Sequence, residues 1–89
     1  MIWKIEFDPA AAKELGKLDK QLGRRILVFM NDRIISFDNP RTVGEALQSS
    51  KLHDFWRYRV GDYRIIVHIK DASKIILVMH IGNRSEVYR

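Results

Sequence analysis

Trp56-Arg57-Tyr58-Arg59-Val60-Gly61-Asp62-Tyr63-Arg64-Ile65-Ile66 is the stretch that decides the fold of this 89-residue chain. Two β-rich runs, Phe55–Val60 and Tyr63–Lys70, flank the pair Gly61-Asp62. A glycine-containing two-residue loop is a hairpin signal, because glycine reaches the positive φ such turns need. The loop sets the register. Val60 should face Tyr63, Arg59 should face Arg64, Tyr58 should face Ile65, and Arg57 should face Ile66. Side chains alternate along a strand. Trp56, Tyr58, Val60, Tyr63, Ile65 and Val67 therefore share one face, and Arg57, Arg59, Arg64 and His68 share the other.

Like charges directly opposite on a sheet destabilise it by about 0.2–1 kcal/mol. Three guanidiniums in one patch are thus costly as architecture alone. An anion held between them would turn the repulsion into charge-assisted hydrogen bonds, and the guanidinium fork suits phosphate. The alternatives are that the three splay into water or pair with acids such as Asp54 or Glu86.

Outward from the hairpin, Asp71-Ala72-Ser73 predicts a turn and Ile75–Ile81 a third strand. The near-continuous apolar run of that strand suggests a central position covered on both faces. Gly82-Asn83 should break it. The length of the turn leaves open which way His80 points. Upstream, residues 41–53 are ambiguous, with Val43–Leu47 a possible short helical turn.

The N-terminal half has a different period. Trp3, Ile5 and Phe7 alternate with Lys4 and Glu6, as in a half-buried strand. Asp8-Pro9 then predicts an N-cap and first helical residue. Ala11, Leu15, Leu18 and Leu22 follow on one helical face. Asp19 should cap a second helix with the stripe Leu22, Ile26, Met30 and Ile34, widened by Leu27 and Phe29. Asn39-Pro40 should end it. The expectation is one α+β domain, residues 1–89: an N-terminal strand, a two-helix hairpin, then an antiparallel β-meander.

Composition bounds the chemistry. Sixteen Lys and Arg against eleven Asp and Glu give a formal charge of +5. Residues 1–50 carry a net +1 and residues 51–89 a net +4, so the excess lies in the second half. A concentrated positive field attracts polyanions, nucleic acid first. Zero cysteines exclude a disulfide scaffold, thiol catalysis and cysteine-based metal sites. His53, His68 and His80 share no spacing that suggests an acid–base pair, and the acids form no ligand-spaced cluster, so no metal or cofactor is expected. No apolar run reaches the roughly 18 residues of a transmembrane helix. Met1–Phe7 lacks the apolar core of a signal peptide. A cytoplasmic location with no membrane partner is the expectation.

The Trp56–Ile66 stretch, followed by Ile81-Gly82-Asn83-Arg84-Ser85-Glu86-Val87-Tyr88, resembles the RelE/ParE superfamily of bacterial and archaeal toxins. The resemblance runs over essentially the whole chain. It implies a twisted antiparallel sheet with two helices on one face and a basic groove on the other. It also implies a type II toxin that enters the ribosomal A site and cuts mRNA without a metal. The ribose 2′-hydroxyl would attack the adjacent phosphate, leaving a 2′,3′-cyclic phosphate. A RelB-like antitoxin would neutralise it, and the toxin–antitoxin complex would bind operator DNA.

By the same resemblance, Arg64 would clamp the scissile phosphate and Arg84 would assist or help protonate the leaving 5′-oxygen. Tyr88 would stack on a base. Arg57 and Arg59, with Lys51, would hold flanking phosphates. The chain departs from the common pattern in having Arg57 and Arg59 where lysines are frequent, and Asn83 before Arg84. Arginine is a poor general base, so the proton acceptor is left open. Two other readings of the same fold are a ParE-like inhibitor of DNA gyrase and an inactive relative that only binds antitoxin.

Overall fold

Asp8 and Asp19 punctuate the N-terminal half as their sequence context predicts. The computed structural model describes residues 3–35, 39–47 and 55–83. Strand β1 spans Lys4–Phe7 and is followed by helices α1, Pro9–Gly16, and α2, Lys20–Met30. The Asp8 carboxylate accepts from Ala10 N–H at 3.1 Å and the Asp19 carboxylate from Gln21 N–H at 3.1 Å. Each aspartate satisfies a backbone donor that the first helical turn leaves free. After Met30 the helix widens into a π-helical turn over Asn31–Ile35.

The remaining strands are β2, Glu45–Ala46; β3, Phe55–Val60; β4, Tyr63–Lys70; and β5, Ile75–Asn83. The sheet order is β1-β5-β4-β3-β2. β2, β3, β4 and β5 pair antiparallel, whereas β1 joins β5 in parallel. That parallel edge corrects the expectation of a wholly antiparallel sheet. The helical hairpin supplies the crossover a parallel pair requires.

The core lies between the helices and one sheet face. Ala11, Ile26, Met30 and Ile34 pack with Tyr58, Val60, Ile65, Val67, Ile69, Ile76, Val78 and Ile81. Phe29 sits partly buried against this cluster, its ring edge-on to Tyr58 at 6.1 Å. Leu27 does not widen the helical stripe as expected: it is 45% exposed. At about 100° per residue, the position after Ile26 turns off the buried face.

Three further expectations are corrected. Val43–Leu47 does not make a helical turn; Glu45 and Ala46 form a strand paired with Arg57 and Trp56. Gly82 and Asn83 do not break β5 but extend it, paired with Arg64 and Tyr63. β5 takes the expected inner position, between β1 and β4, but it is not covered on both faces: its Ile75, Leu77 and Met79 are only half-buried, whereas Arg64, Ile65, Ile66 and Val67 of β4 are all buried. β5 has a strand on each edge but a less covered face, so its apolar run reflects pairing more than burial.

A β-bulge settles the direction of His80. Ile66 opposes His80 and Val67 opposes Val78, which leaves Met79 as the extra residue. β1 ends at this bulge, its Phe7 opposite Val78. Beyond it the Ile81 N–H donates to the Glu14 carboxylate of α1 at 2.9 Å. A helix side chain thus caps the sheet edge that β1 no longer covers.

Candidate functional site

The hairpin adopts the register its two-residue loop dictates. Val60 faces Tyr63, Arg59 faces Arg64, Tyr58 faces Ile65 and Arg57 faces Ile66. Gly61 has φ +60, the left-handed conformation this turn needs. Tyr58 and Ile65 are in the core, so strand alternation sends Arg57, Arg59 and Arg64 to the opposite face.

The three arginines differ in exposure. The Arg59 side chain is 56% exposed and that of Arg57 17%. Arg64 is only 7% exposed, and among the described residues its Nε has no hydrogen-bond partner. A buried charged donor without an acceptor is expensive, and an arriving anion would relieve that cost.

The acid that meets these arginines is Glu45, which the sequence reading did not single out. Its Oε1 lies 2.7 Å from Arg57 Nη2 and 2.9 Å from Arg59 Nη2. The Arg57 hydrogen bond, with the positive field of Arg57, Arg59 and Arg64, holds the Glu45 carboxyl below its ordinary pKa. Asp54 and Glu86, the acids proposed from sequence, lie outside the described residues. So do Lys51, His53, Arg84 and Tyr88.

Glu45 is held in place by the segment that precedes it. The Asn39 side chain accepts from Arg41 N–H at 2.9 Å, and Thr42 Oγ1 donates to Asn39 O at 2.8 Å. Tyr58 OH donates to Pro40 O, and Trp56 Nε1 donates to Val43 O at 2.7 Å. Burial pushes the Tyr58 phenol well above its usual pKa, keeping it a neutral donor. Arg41 makes a bidentate pair with Asp71, at 3.0 Å for each bond. Gly44 has φ +83, and a Cβ there would lie 2.4 Å from Arg57 O. Only glycine fits that approach. The Gly44-Glu45 pair beside an aromatic strand was the available signal, but it says nothing of which arginines Glu45 would meet.

The two described histidines, His68 and His80, make contacts of their own. The rings of His68 and Phe55 stack at 5.0 Å, nearly parallel. His80 is exposed, its Nδ1 3.8 Å from Glu14 Oε1. Among the described residues no group of His, Asp or Glu could hold a metal ion, and no helix is long and apolar enough to cross a membrane.

The family model for the ParE toxin of type II toxin–antitoxin systems, parDE, matches residues 5–88. The chain belongs to this family. It is a type II toxin of the RelE/ParE superfamily. Toxin RelE of Mycobacterium tuberculosis is 26% identical to it over 87 residues, which are 98% of this chain and 87% of that protein. A chain of the toxin–antitoxin complex RelBE2 from Mycobacterium tuberculosis superposes with a TM-score of 0.80 at 21% identity, covering 97% of the toxin and 95% of that chain. The isolated Escherichia coli RelE toxin gives a TM-score of 0.72 at 22% identity, covering 97% and 90%. The archaeal RelE–RelB complex from Pyrococcus horikoshii gives 0.70 at 25% identity, covering 97% and 99%. The toxin therefore has the RelE fold, with its arginine cluster on the sheet face opposite the helices.

Proposed function

We propose that this toxin is a ribosome-dependent, metal-independent endoribonuclease that cuts mRNA in the A site and halts translation. The observation that carries the proposal is the arginine face, with Arg64 buried at its centre and its Nε lacking a partner among the described residues. Fixed donors aimed at developing charge are worth most in a site shielded from water.

In this reading the ribose 2′-oxygen attacks the adjacent phosphorus, the bond to the 5′-oxygen breaks, and a 2′,3′-cyclic phosphate and a 5′-hydroxyl result. Arg64 binds the phosphate and stabilises its added transition-state charge. Arg57, Arg59 and Lys51 hold the flanking backbone. Arg84 assists departure of the 5′-oxygen, which takes its proton from water, and Tyr88 stacks on a base. Glu45 accepts the 2′-hydroxyl proton once the RNA phosphates have taken over its arginine partners. It is the carboxylate seated among the arginines, and it fills the base role that Arg57, Arg59 and Asn83 cannot.

A RelB-like antitoxin is the proposed partner, in the cytoplasm, since solved relatives are RelB–RelE complexes. The complex is proposed to bind operator DNA. Mapping transcript ends on translating ribosomes tests the nuclease, with gyrase supercoiling assayed in parallel. Codon-phased cuts that vanish in Arg64→Ala and Tyr88→Phe are expected. Intact transcripts with blocked supercoiling would replace the nuclease with a gyrase inhibitor. Neither effect, with antitoxin binding kept, would leave a binding module.

A further inference from the structure

Glu45 places an anion where the proposed function needs a phosphate. One carboxylate oxygen bridges Arg57 Nη2 and Arg59 Nη2. A backbone phosphate oxygen bridging the same two guanidiniums would take the same donors at similar distances. The bridging position between these two Nη2 groups holds one anion at a time.

The placement is built into the fold. Gly44 is pressed against the Arg57 carbonyl, and the Trp56 indole anchors Val43 just upstream. β2 then pairs Glu45 directly with Arg57. The carboxylate is half-exposed. It can swing into water without being stranded as a buried charge. The cations around it are Arg57 and Arg59 from β3, Arg64 from β4, and Arg33 beyond α2, which lines the same depression with Phe29 and Val43. Asp32 lines the adjoining depression with Arg33 and Arg59.

We propose that Glu45 is a built-in phosphate surrogate, an autoinhibitory contact that the RNA backbone must displace to engage Arg57 and Arg59. The inference rests on the RNA-cleavage reading above and adds to it a mechanism of control. In the empty toxin the surrogate neutralises the repulsion between the arginines. When RNA arrives, the arginines exchange one anion for another, so net affinity is only the difference between the two. The displaced carboxylate loses the partners that held its proton affinity down. It becomes a better base only when a phosphate is in place.

The test is RNA binding by purified toxin, followed by fluorescence anisotropy with a short single-stranded RNA carrying non-cleavable 2′-deoxyriboses. Glu45→Gln keeps the shape and removes the charge. It should bind about fivefold tighter, the scale of a partly exposed ion pair. Its plot of log affinity against log salt should be steeper by about 0.7, because no displaced carboxylate takes up a cation. Glu6→Gln is the control. It changes net charge equally on β1, the opposite edge of the sheet, and should bind like the wild type.

Equal or weaker binding by Glu45→Gln relative to Glu6→Gln overturns the proposal, as does no binding by any of the three proteins. In the wild type, the Glu45 side-chain carboxyl resonance, read by 13C NMR, should move toward that of free glutamate when the RNA is added. A carboxyl that does not move overturns the proposal even if the variant fails to fold. Cleavage on ribosomes is scored separately. Tighter binding by Glu45→Gln, in a toxin that never cuts mRNA, retains the surrogate and removes the nuclease. Codon-phased cutting with unchanged binding does the reverse.

Discussion

The β3–β4 hairpin carries the arginine face and the segment 39–47 brings Glu45 to it, but the two are held by different kinds of contact. The hairpin is a backbone ladder closed by Gly61-Asp62, and partners lie only a few residues apart near the turn. The segment has just two strand residues. Side-chain bonds spanning longer stretches of chain hold the rest: Trp56 to Val43, Tyr58 to Pro40 and Arg41 to Asp71, at separations of 13, 18 and 30 residues. A ladder made by every residue's backbone tolerates a changed side chain. A segment pinned by a few particular side chains and one glycine does not. Function should therefore be lost without unfolding in the hairpin, whereas stability should suffer first in the segment.

The largest effect should come from the hairpin. Arg64→Ala removes the buried guanidinium while leaving the ladder intact. Cleavage should fall by about 100-fold or more, the scale for losing one fixed transition-state donor. Primer-extension mapping on translating ribosomes reads the loss, and a thermal melt near that of the wild type completes the prediction. A collapsed melt would show that the hairpin depends on its side chains as the segment does.

Gly44→Ala attacks the segment instead. The added Cβ meets Arg57 O and Trp56 Nε1, and the residue keeps a φ unsuited to alanine. A destabilisation of about 2 kcal/mol or more is expected from strain of this kind, measured by urea unfolding. Unchanged stability would mean that the segment relaxes away from β3 freely, and would break the contrast.

Tyr58→Phe is milder. It keeps the core ring and removes the hydroxyl that donates to Pro40 O. About 1–2 kcal/mol should be lost, because a buried carbonyl is left without its donor. A loss confined to the segment would appear in hydrogen exchange as faster opening at residues 41–47 than in the hairpin.

The smallest effect concerns pH. Arg57 beside Glu45 and Arg41 beside Asp71 hold both carboxyls below their ordinary pKa values. A depressed folded-state pKa gives stability that is present above the unfolded value, about 4 for carboxylates, and lost as pH falls through the folded value. Acid unfolding should therefore set in below that point. The double variant Glu45→Gln/Asp71→Asn should flatten the dependence slightly, as both groups are exposed and well screened. Circular dichroism along an acid titration reads it, and an unaltered profile would remove these two pairs as acid-sensitive ties.

The contrast also explains what could be read in advance. Asp8 and Asp19 signal their helix caps because an N-cap bond reaches only two residues. The loop Gly61-Asp62 dictates a register that gathers Arg57, Arg59 and Arg64, because side chains alternate strictly. Leu27 misled because hydrophobicity does not report angle on a helix. Gly82-Asn83 misled because glycine signals a break only where no neighbouring strand is there to pair with it. Glu45 escaped notice because its strand partner, Arg57, lies twelve residues further along the chain and no local pattern announces the pairing.

By itself, then, the sequence determined the hairpin, its register and which of its arginines share a face, all consequences of local geometry and period. The parallel docking of β1 on β5, the burial of Arg64 and the seating of Glu45 between Arg57 and Arg59 were decided only by tertiary structure. Each joins groups far apart in the chain, and no local pattern encodes which distant partner fills the space.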